Sequence, residues 1–319
     1  MRVLVIKLGA LGDFVQAFAA FRQIRQAHAG DRITLLTTKP YAELAQASGL
    51  FDRVETDGRP KGIGAALRLF GRLRAAGYGR VYDLQTSSRS RWFLYAFLPR
   101  LPQWSGISRG ASHRQTRPDR DAMHNLDRMA DQLHVAGIGP ACGPGEAPSP
   151  DLSWAAQVAG AEPETLMTSL GLQPPFALLA PGASAVKPEK CWPVQAYAEL
   201  AARLQEAGLQ IAVVGGAAEA ALFPLIATRA PGAVDLTGKT GLVELASLGT
   251  RARLAIGNDS GPTHLLACAG APGLMLMSRA TDPAHCAPRT RMGWLRVEDL
   301  RTLTAEAVLE ACLRSLVAG

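Results

Sequence analysis

The sequence predicts an α/β protein built from two doubly wound domains, and three observations predict it. Short apolar runs alternate with amphipathic helical stretches through both halves, the pattern of parallel sheets with crossover helices. Several of these runs end in glycine turns that lead straight into a helix. Between the halves, residues 139–153 hold Gly139-Pro140, Gly143-Pro144-Gly145 and Pro148-Ser149-Pro150, a run that sustains neither a helix nor a central strand. The linker is placed there, with domains over 1–150 and 151–319.

In the first half, residues 3–8 read as a buried parallel strand in a segment with a charge at each end, Arg2 and Lys7. Gly9-Ala10-Leu11-Gly12-Asp13 follows, then an amphipathic helix over 14–24. The spacing of Gly9 and Gly12 lacks the close Gly-x-Gly of a dinucleotide fingerprint, which disfavours a nicotinamide or flavin enzyme. Asp13 stands at the helix start, where a simple N-cap role competes with a chemical one. Strands are predicted at 33–37, 53–56, 81–84 and 104–107, and helices at 41–48, 63–76, 89–98 and 123–136. Residues 108–121 read as a long arginine-rich loop, and long loops in compact domains are commonly functional or mobile.

The second half opens with a helical segment over 154–170 and a strand over 176–180, followed by Pro181-Gly182-Ala183-Ser184. Lys190-Cys191-Trp192-Pro193 leads into a helix ending near 207–208, with Pro193 suited to its first turn. Strands at 210–214, 233–236 and 273–277 and helices at 217–229, 242–248 and 304–317 complete the alternation. Its most informative stretch is the strand 254–256 running into Gly257-Asn258-Asp259-Ser260-Gly261-Pro262-Thr263-His264 and a helix to 270. In an open α/β sheet such a turn lies at a strand's carboxyl end, where ligands bind. Ser260 is an N-cap candidate, and the free amides and dipole of the helix favour an anion such as a phosphate. Asp259 and His264 then stand beside an anion site, where an acid serves to hold a sugar hydroxyl or a cation. Equally, they read as a capping acid and a helix-surface histidine. If the glycine-turn edges of the two domains face each other, the ligand site is an interdomain cleft.

The chain has 319 residues, 48% hydrophobic, enough for a core in each domain. No apolar run approaches the ~20 residues of a membrane span, and no signal-peptide pattern follows the N-terminus, so a cytoplasmic protein is expected. Five scattered cysteines without a C-x-x-C pair suggest neither a zinc site nor a disulfide framework. The net charge of +7 divides into +9 over residues 1–150 and −2 over 151–319. The basic half points to an anionic partner: nucleic acid, a lipid headgroup or a phosphorylated glycan, against the plain alternative of a basic soluble surface. No recognised nucleic-acid module is present.

Four patches together resemble glycosyltransferase family 9, the bacterial enzymes that add heptose from ADP-heptose to the lipopolysaccharide inner core. They are residues 3–13 (VLVIKLGALGD), Pro181 to Ser184 with Lys190-Cys191-Trp192-Pro193, Gly257 to His264, and Thr281-Asp282-Pro283. The resemblance implies a GT-B architecture: two Rossmann-like domains facing each other across a cleft, the first binding the acceptor and the second the nucleotide sugar. The last helix is a candidate to pack back on the first domain.

The resemblance also implies an inverting, metal-independent transfer with no cofactor beyond the nucleotide-sugar co-substrate. Asp13 matches the general base. Lys190 matches a contact to the donor's phosphates, and Asp259, Ser260, Gly261 and His264 match residues lining the donor site. Ser184 matches a small hydroxyl position near the diphosphate, and Glu219 an acidic position that holds the donor's ribose. An anionic glycolipid acceptor gives the basic half a use, with Arg59, Lys61, Arg89, Arg91, Arg114, Arg117 and Arg120 as candidate contacts. It leaves room for peripheral contact with the cytoplasmic face of the inner membrane, and no obligate protein partner is evident. The chain departs from the family pattern at Ser278-Arg279, where Gly-Pro is usual, and in the length of the loop from Ala183 to Lys190. Arg279 is thereby expected to bring a cation near the donor. Open alternatives are a transferase for another sugar nucleotide, an epimerase of the same fold, or a non-enzymatic nucleotide- or glycan-binding member.

Overall fold

The computed structural model describes residues 1–87, 90–183 and 187–318, with side chains described to Arg314. The chain divides into two compact units, Met1–Ser149 and Pro150–Gly319.

In the first unit, strands β1 (Arg2–Ile6), β2 (Arg32–Leu36), β3 (Arg53–Glu55), β4 (Arg80–Asp83), β5 (Gln103–Gly106) and β6 (His113–Arg114) form one sheet in the order β3-β2-β1-β4-β5-β6. All its ladders are parallel. Val3, Leu4, Val5 and Ile6 are completely buried, as a strand covered on both faces requires. The helix expected over 14–24 is two helices, Leu11–Gln16 and Phe18–Ala27, meeting at Ala17. The expected 108–121 loop is shorter than it reads, because it contains β6 and a 3-10 turn at Arg120–Ala122.

The second unit repeats the plan. Strands β7 (Phe176–Ala180), β8 (Gln210–Val213), β9 (Val234–Asp235), β10 (Leu254–Asn258), β11 (Gly273–Met277) and β12 (Met292–Arg296) pair in parallel in the order β12-β11-β10-β7-β8-β9. Counted within each unit, both sheets have the order 3-2-1-4-5-6 of a doubly wound fold. β12 and the short helix Pro283–Cys286 are elements that the sequence reading does not place.

The helical segment expected over 154–170 is broken into a 3-10 stretch, Ser153–Gln157, and a helix, Pro163–Leu170. The first piece stops at Val158, which is extended, and Gly160 at φ +80° turns the chain between the two. The last helix, Ala305–Ala318, packs on helix Val194–Glu206 and on β11 and β12 of its own unit. Among the described residues no helix is long and apolar enough to cross a membrane.

Candidate active site

In a 3-2-1-4-5-6 sheet the connections leave strands 1 and 4 in opposite directions, which opens a crevice at their carboxyl ends. In the second unit those strands are β7 and β10, paired through Gly257 and Ala180. The turns leaving them carry Pro181-Gly182 and Asp259-Ser260. Gly257 is needed for their close approach: a Cβ there would lie 2.3 Å from Thr263 Oγ1 and 2.8 Å from Ala180 Cβ.

Asp259 is the centre of this crevice. It is buried, and both carboxylate oxygens are occupied. Oδ2 accepts from Lys190 Nζ at 2.5 Å and from Thr281 Oγ1 at 2.6 Å. Oδ1 lies 3.1 Å from His264 Nε2. Burial pushes the carboxyl up, but hydrogen bonds from His264, Lys190 and Thr281 outweigh it and hold the group well below the usual carboxylate range. Asp259 therefore stays ionised and fixes a lysine on one side and a histidine on the other.

Asn258 fixes the surroundings. Fully buried, it donates from Nδ2 to the Pro181 carbonyl at 2.7 Å. Its Oδ1 accepts from the Trp192 amide at 3.0 Å and the Tyr197 hydroxyl at 3.1 Å. One side chain thus ties the end of β10 to the turn after β7 and to the segment bearing Lys190. Ser260 does occupy the N-cap position of helix Gly261–Cys268, but its hydroxyl pairs with Thr263 Oγ1 at 3.1 Å and caps no amide. The expected capping bond is replaced because the Thr263 hydroxyl lies within reach. Glu219, in a 3-10 stretch after β8, lies over the two glycine turns. A Cβ on Gly182 would meet its Cγ at 2.5 Å, and one on Gly215 its Cβ at 3.0 Å.

Asp259, His264 and Cys286 each present one atom able to bind a metal, all within 4.8 Å of one another. The carboxylate there already carries the Lys190 ammonium.

In the first unit the corresponding strands are β1 and β4, paired to their ends through Ile6 and Asp83. Asp13 lies in the first helix after β1, half-buried, and Oδ1 accepts from Asn125 Nδ2 at 3.1 Å. Asn125 Oδ1 in turn accepts from Arg128 Nη2 at 2.5 Å. The Gly9 turn has φ +94° and is covered by Tyr41, whose ring would lie 2.3 Å from a Cβ on Gly9 and which stacks on Phe14 at 4.7 Å. Lys7, read from sequence as a strand-end charge, is buried, with Nζ donating to the Leu84 carbonyl at 3.2 Å. Burial lowers its pKa, against the raising influence of Asp13. Asp83 is fully buried; burial raises its pKa to about 6 although the amides of Thr86 and Gln85 donate to it.

The structure thus gathers Lys190, Asp259, Ser260, Gly261 and His264 at one crevice and places Glu219 beside its glycine turns. Ser184 and Arg89 lie outside the described residues. The arginine candidates separate. Arg59, Lys61 and Arg91 are exposed and carry no ion pair among the described residues. Arg114 is exposed and donates to the Ile107 carbonyl at 3.3 Å. Arg117 pairs with Asp119 at 2.6 Å. Arg120 is buried and fully engaged, by Gln115 at 2.7 Å, Asp121 at 2.8 Å and Thr86 at 2.7 Å, so it is a brace for its loop and not an open contact. Arg279 is exposed and acts electrostatically on Asp299. The sequence reading assigns no role to Asn125, Lys7, Asn258 or Thr281. Lys7, Asn258 and Thr281 fall inside the motifs that carry the resemblance, whereas nothing in the local sequence marks Asn125.

Similarity to solved structures covers the whole chain. A glycosyltransferase family 9 structure from Veillonella parvula DSM 2008 aligns with a TM-score of 0.82 at 21% identity, over 100% of this chain and 97% of that one. The E. coli ADP-heptose lps heptosyltransferase II aligns at 0.81 and 21% identity, over 100% and 99%. E. coli heptosyltransferase WaaC with ADP aligns at 0.74 and 19% identity, over 99% and 98%. At these identities the likeness is one of fold, the two-domain GT-B architecture. No curated protein matches the sequence at a significant level. The family itself is established by sequence: the model of glycosyltransferase family 9 (heptosyltransferase) matches residues 66–294, a span that takes in Lys190, Asp259 and His264. The chain belongs to glycosyltransferase family 9 and is a glycosyltransferase.

Proposed function

We propose that the protein transfers a heptose or a related sugar from ADP-heptose to an anionic glycolipid acceptor of the lipopolysaccharide inner-core type, with inversion and without a metal. The observation that carries this reading is the Lys190–Asp259–His264 constellation at the β7/β10 crevice. A nucleoside diphosphate leaving group develops negative charge as the glycosidic bond breaks, and a fixed ammonium beside a helix N-terminus stabilises it. Asp259 holds Lys190 in place. Glu219, at the glycine turns, is the group that accepts hydrogen bonds from the ribose hydroxyls. Structures of the E. coli enzyme WaaC with ADP and with ADP-2-deoxy-2-fluoro heptose support an adenine nucleotide donor.

Asp13 is the general base in this reading. It removes the acceptor hydroxyl's proton as the oxygen attacks the anomeric carbon, and Asn125 orients its carboxylate. Lysine chemistry in place of a metal matches a site whose central carboxylate is already neutralised. Exposed Arg59, Lys61 and Arg91 suit an acceptor rich in carboxylates and phosphates. A glycolipid acceptor brings the enzyme to the membrane's cytoplasmic face.

Thermal denaturation with saturating ADP, UDP or GDP tests the donor. A ligand at ~100 times its dissociation constant stabilises by about 2.7 kcal/mol. Stabilisation by ADP alone supports the reading and leads to an assay with ADP-heptose. Stabilisation by UDP or GDP in place of ADP overturns the donor and favours another sugar-nucleotide enzyme of this fold.

A further inference from the structure

The stretch between Asp57 and Asp119 contains twelve Lys and Arg and a single acid, Asp83. Asp83 is 0% exposed, so the charged side chains that the described residues of this stretch bring to the surface are cations. Lys61, Arg68, Arg91 and Arg100 are exposed and carry no ion pair among the described residues.

The same stretch exposes large apolar side chains. Ile63 is 81% exposed, Leu67 65% and Trp92 67%, and Tyr95, Leu98 and Leu101 also stand out into solvent. They belong to helix Ile63–Ala75, helix Arg91–Tyr95 and the segment just after it. These elements are neighbours. Phe70 meets Phe93 with ring centroids 5.5 Å apart, and Arg74 Nε donates to the Ala96 carbonyl at 3.0 Å. Ile63, Leu67, Phe70 and Arg74 recur at i, i+4, i+7 and i+11, one stripe of the first helix. The stripe therefore runs along the second element, and Ile63 and Leu67 continue it with their side chains largely exposed among the described residues. Trp92 and Tyr95 stand together, with centroids 5.8 Å apart. The core is served by other residues of both helices: Leu69, Leu73, Phe93 and Leu94 pack beneath them with Leu4 and Ile6.

We infer that this face is a peripheral membrane-docking surface for a bilayer containing anionic lipid. An exposed tryptophan and aliphatic side chains on elements that also carry exposed cations are the chemistry of an interfacial element: the apolar groups enter the headgroup boundary and the cations meet lipid phosphates. Charge complementarity selects the bilayer over a second copy of the chain, which would set these cations against their own kind. The inference rests on the glycolipid reading for its purpose, since an enzyme whose acceptor is anchored in a membrane gains from being held at that surface.

The test is cosedimentation of the whole protein with vesicles of phosphatidylcholine alone and of phosphatidylcholine with phosphatidylglycerol. Binding is expected to the anionic vesicles and to weaken with salt. The variant Ile63→Ser/Leu67→Ser/Trp92→Ser is expected to lose at least ~tenfold in vesicle partitioning. Its Tm and its stabilisation by ADP remain those of the wild type, because all three side chains are exposed and remote in sequence from the donor motifs. Wild-type protein that ignores anionic vesicles, or a variant that binds them equally well, overturns the inference. So does self-association that the variant abolishes without any vesicle binding, which assigns the face to a second copy. Failure on vesicles with ADP stabilisation intact leaves the donor reading standing; the reverse result separates the two in the other direction.

Discussion

Lys190 Nζ contacts Asp259 Oδ2 at 2.5 Å across 69 residues of sequence, with the ammonium more exposed than the carboxylate, 18% against 6%. The pair is therefore asymmetric: the acid is buried among its donors, and the lysine reaches outward from it. In the proposed reaction such a pair is a mounted cation for the donor's diphosphate.

Removing the acid's charge tests the mount. Asp259→Asn leaves the Lys190 ammonium without its counter-charge and is expected to destabilise the protein by roughly 3 kcal/mol at pH 7. Because the folded carboxyl lies below its unfolded value of 3.8, its stabilisation is complete above about pH 4 and is lost as pH falls through the folded value. Urea unfolding of wild type and variant is therefore expected to converge as the pH is lowered below 4. A difference that persists unchanged in acid would show that the charge is not the source.

Asp13 and Asn125 are expected to separate in kinetics. Asp13→Ala keeps the fold and loses about 10²- to 10⁴-fold in turnover, the usual cost of a missing general base. Asn125→Ala leaves the base in place but free to rotate, so kcat is expected to fall about tenfold with the donor KM unchanged. Full turnover in the Asp13 variant would remove it from the reaction.

Gly257 supports the crevice sterically. Gly257→Ala places a methyl group against Thr263 and Ala180, and is expected to cost about 1–3 kcal/mol as strand β10 moves off β7. A thermal melt of the variant measures this directly. An unchanged Tm would mean that the two strands tolerate the extra carbon.

Metal independence is testable at the cluster of Asp259, His264 and Cys286, which has suitable donor atoms. Exhaustive chelation followed by assay in chelator is expected to leave the transfer rate unchanged, because the Lys190 ammonium occupies the charge position on Asp259. A rate that collapses in chelator and returns with added divalent metal would replace the lysine mechanism by a metal-assisted one.

The alternation of strand and helix, the glycine turns after β1, β7 and β10, and the acids Asp13 and Asp259 within them were legible in the sequence. Period, turn chemistry and motif spacing are properties of consecutive residues, and the chain expresses them locally. Where tertiary contact decides, sequence reading stops. It misses β12, an edge strand in which only Met292 is buried and which lacks the continuous apolar run of the central strands. It treats Arg120 as an open cation, although Gln115, Asp121 and Thr86 enclose it. It gives the Ser260 hydroxyl a capping bond, whereas the neighbouring Thr263 hydroxyl takes it.

The sequence by itself determined the fold class, the family and the glycine turns that carry the proposed site. Only the tertiary structure decided which groups meet there: Lys190 with Asp259, Asn258 with Trp192 and Pro181, and Asn125 with Asp13 over 112 residues. The reason is that strand order, 3-2-1-4-5-6 in both units, sets which carboxyl ends lie side by side. That order follows from the packing of whole crossover units, in which residues far apart in sequence become neighbours.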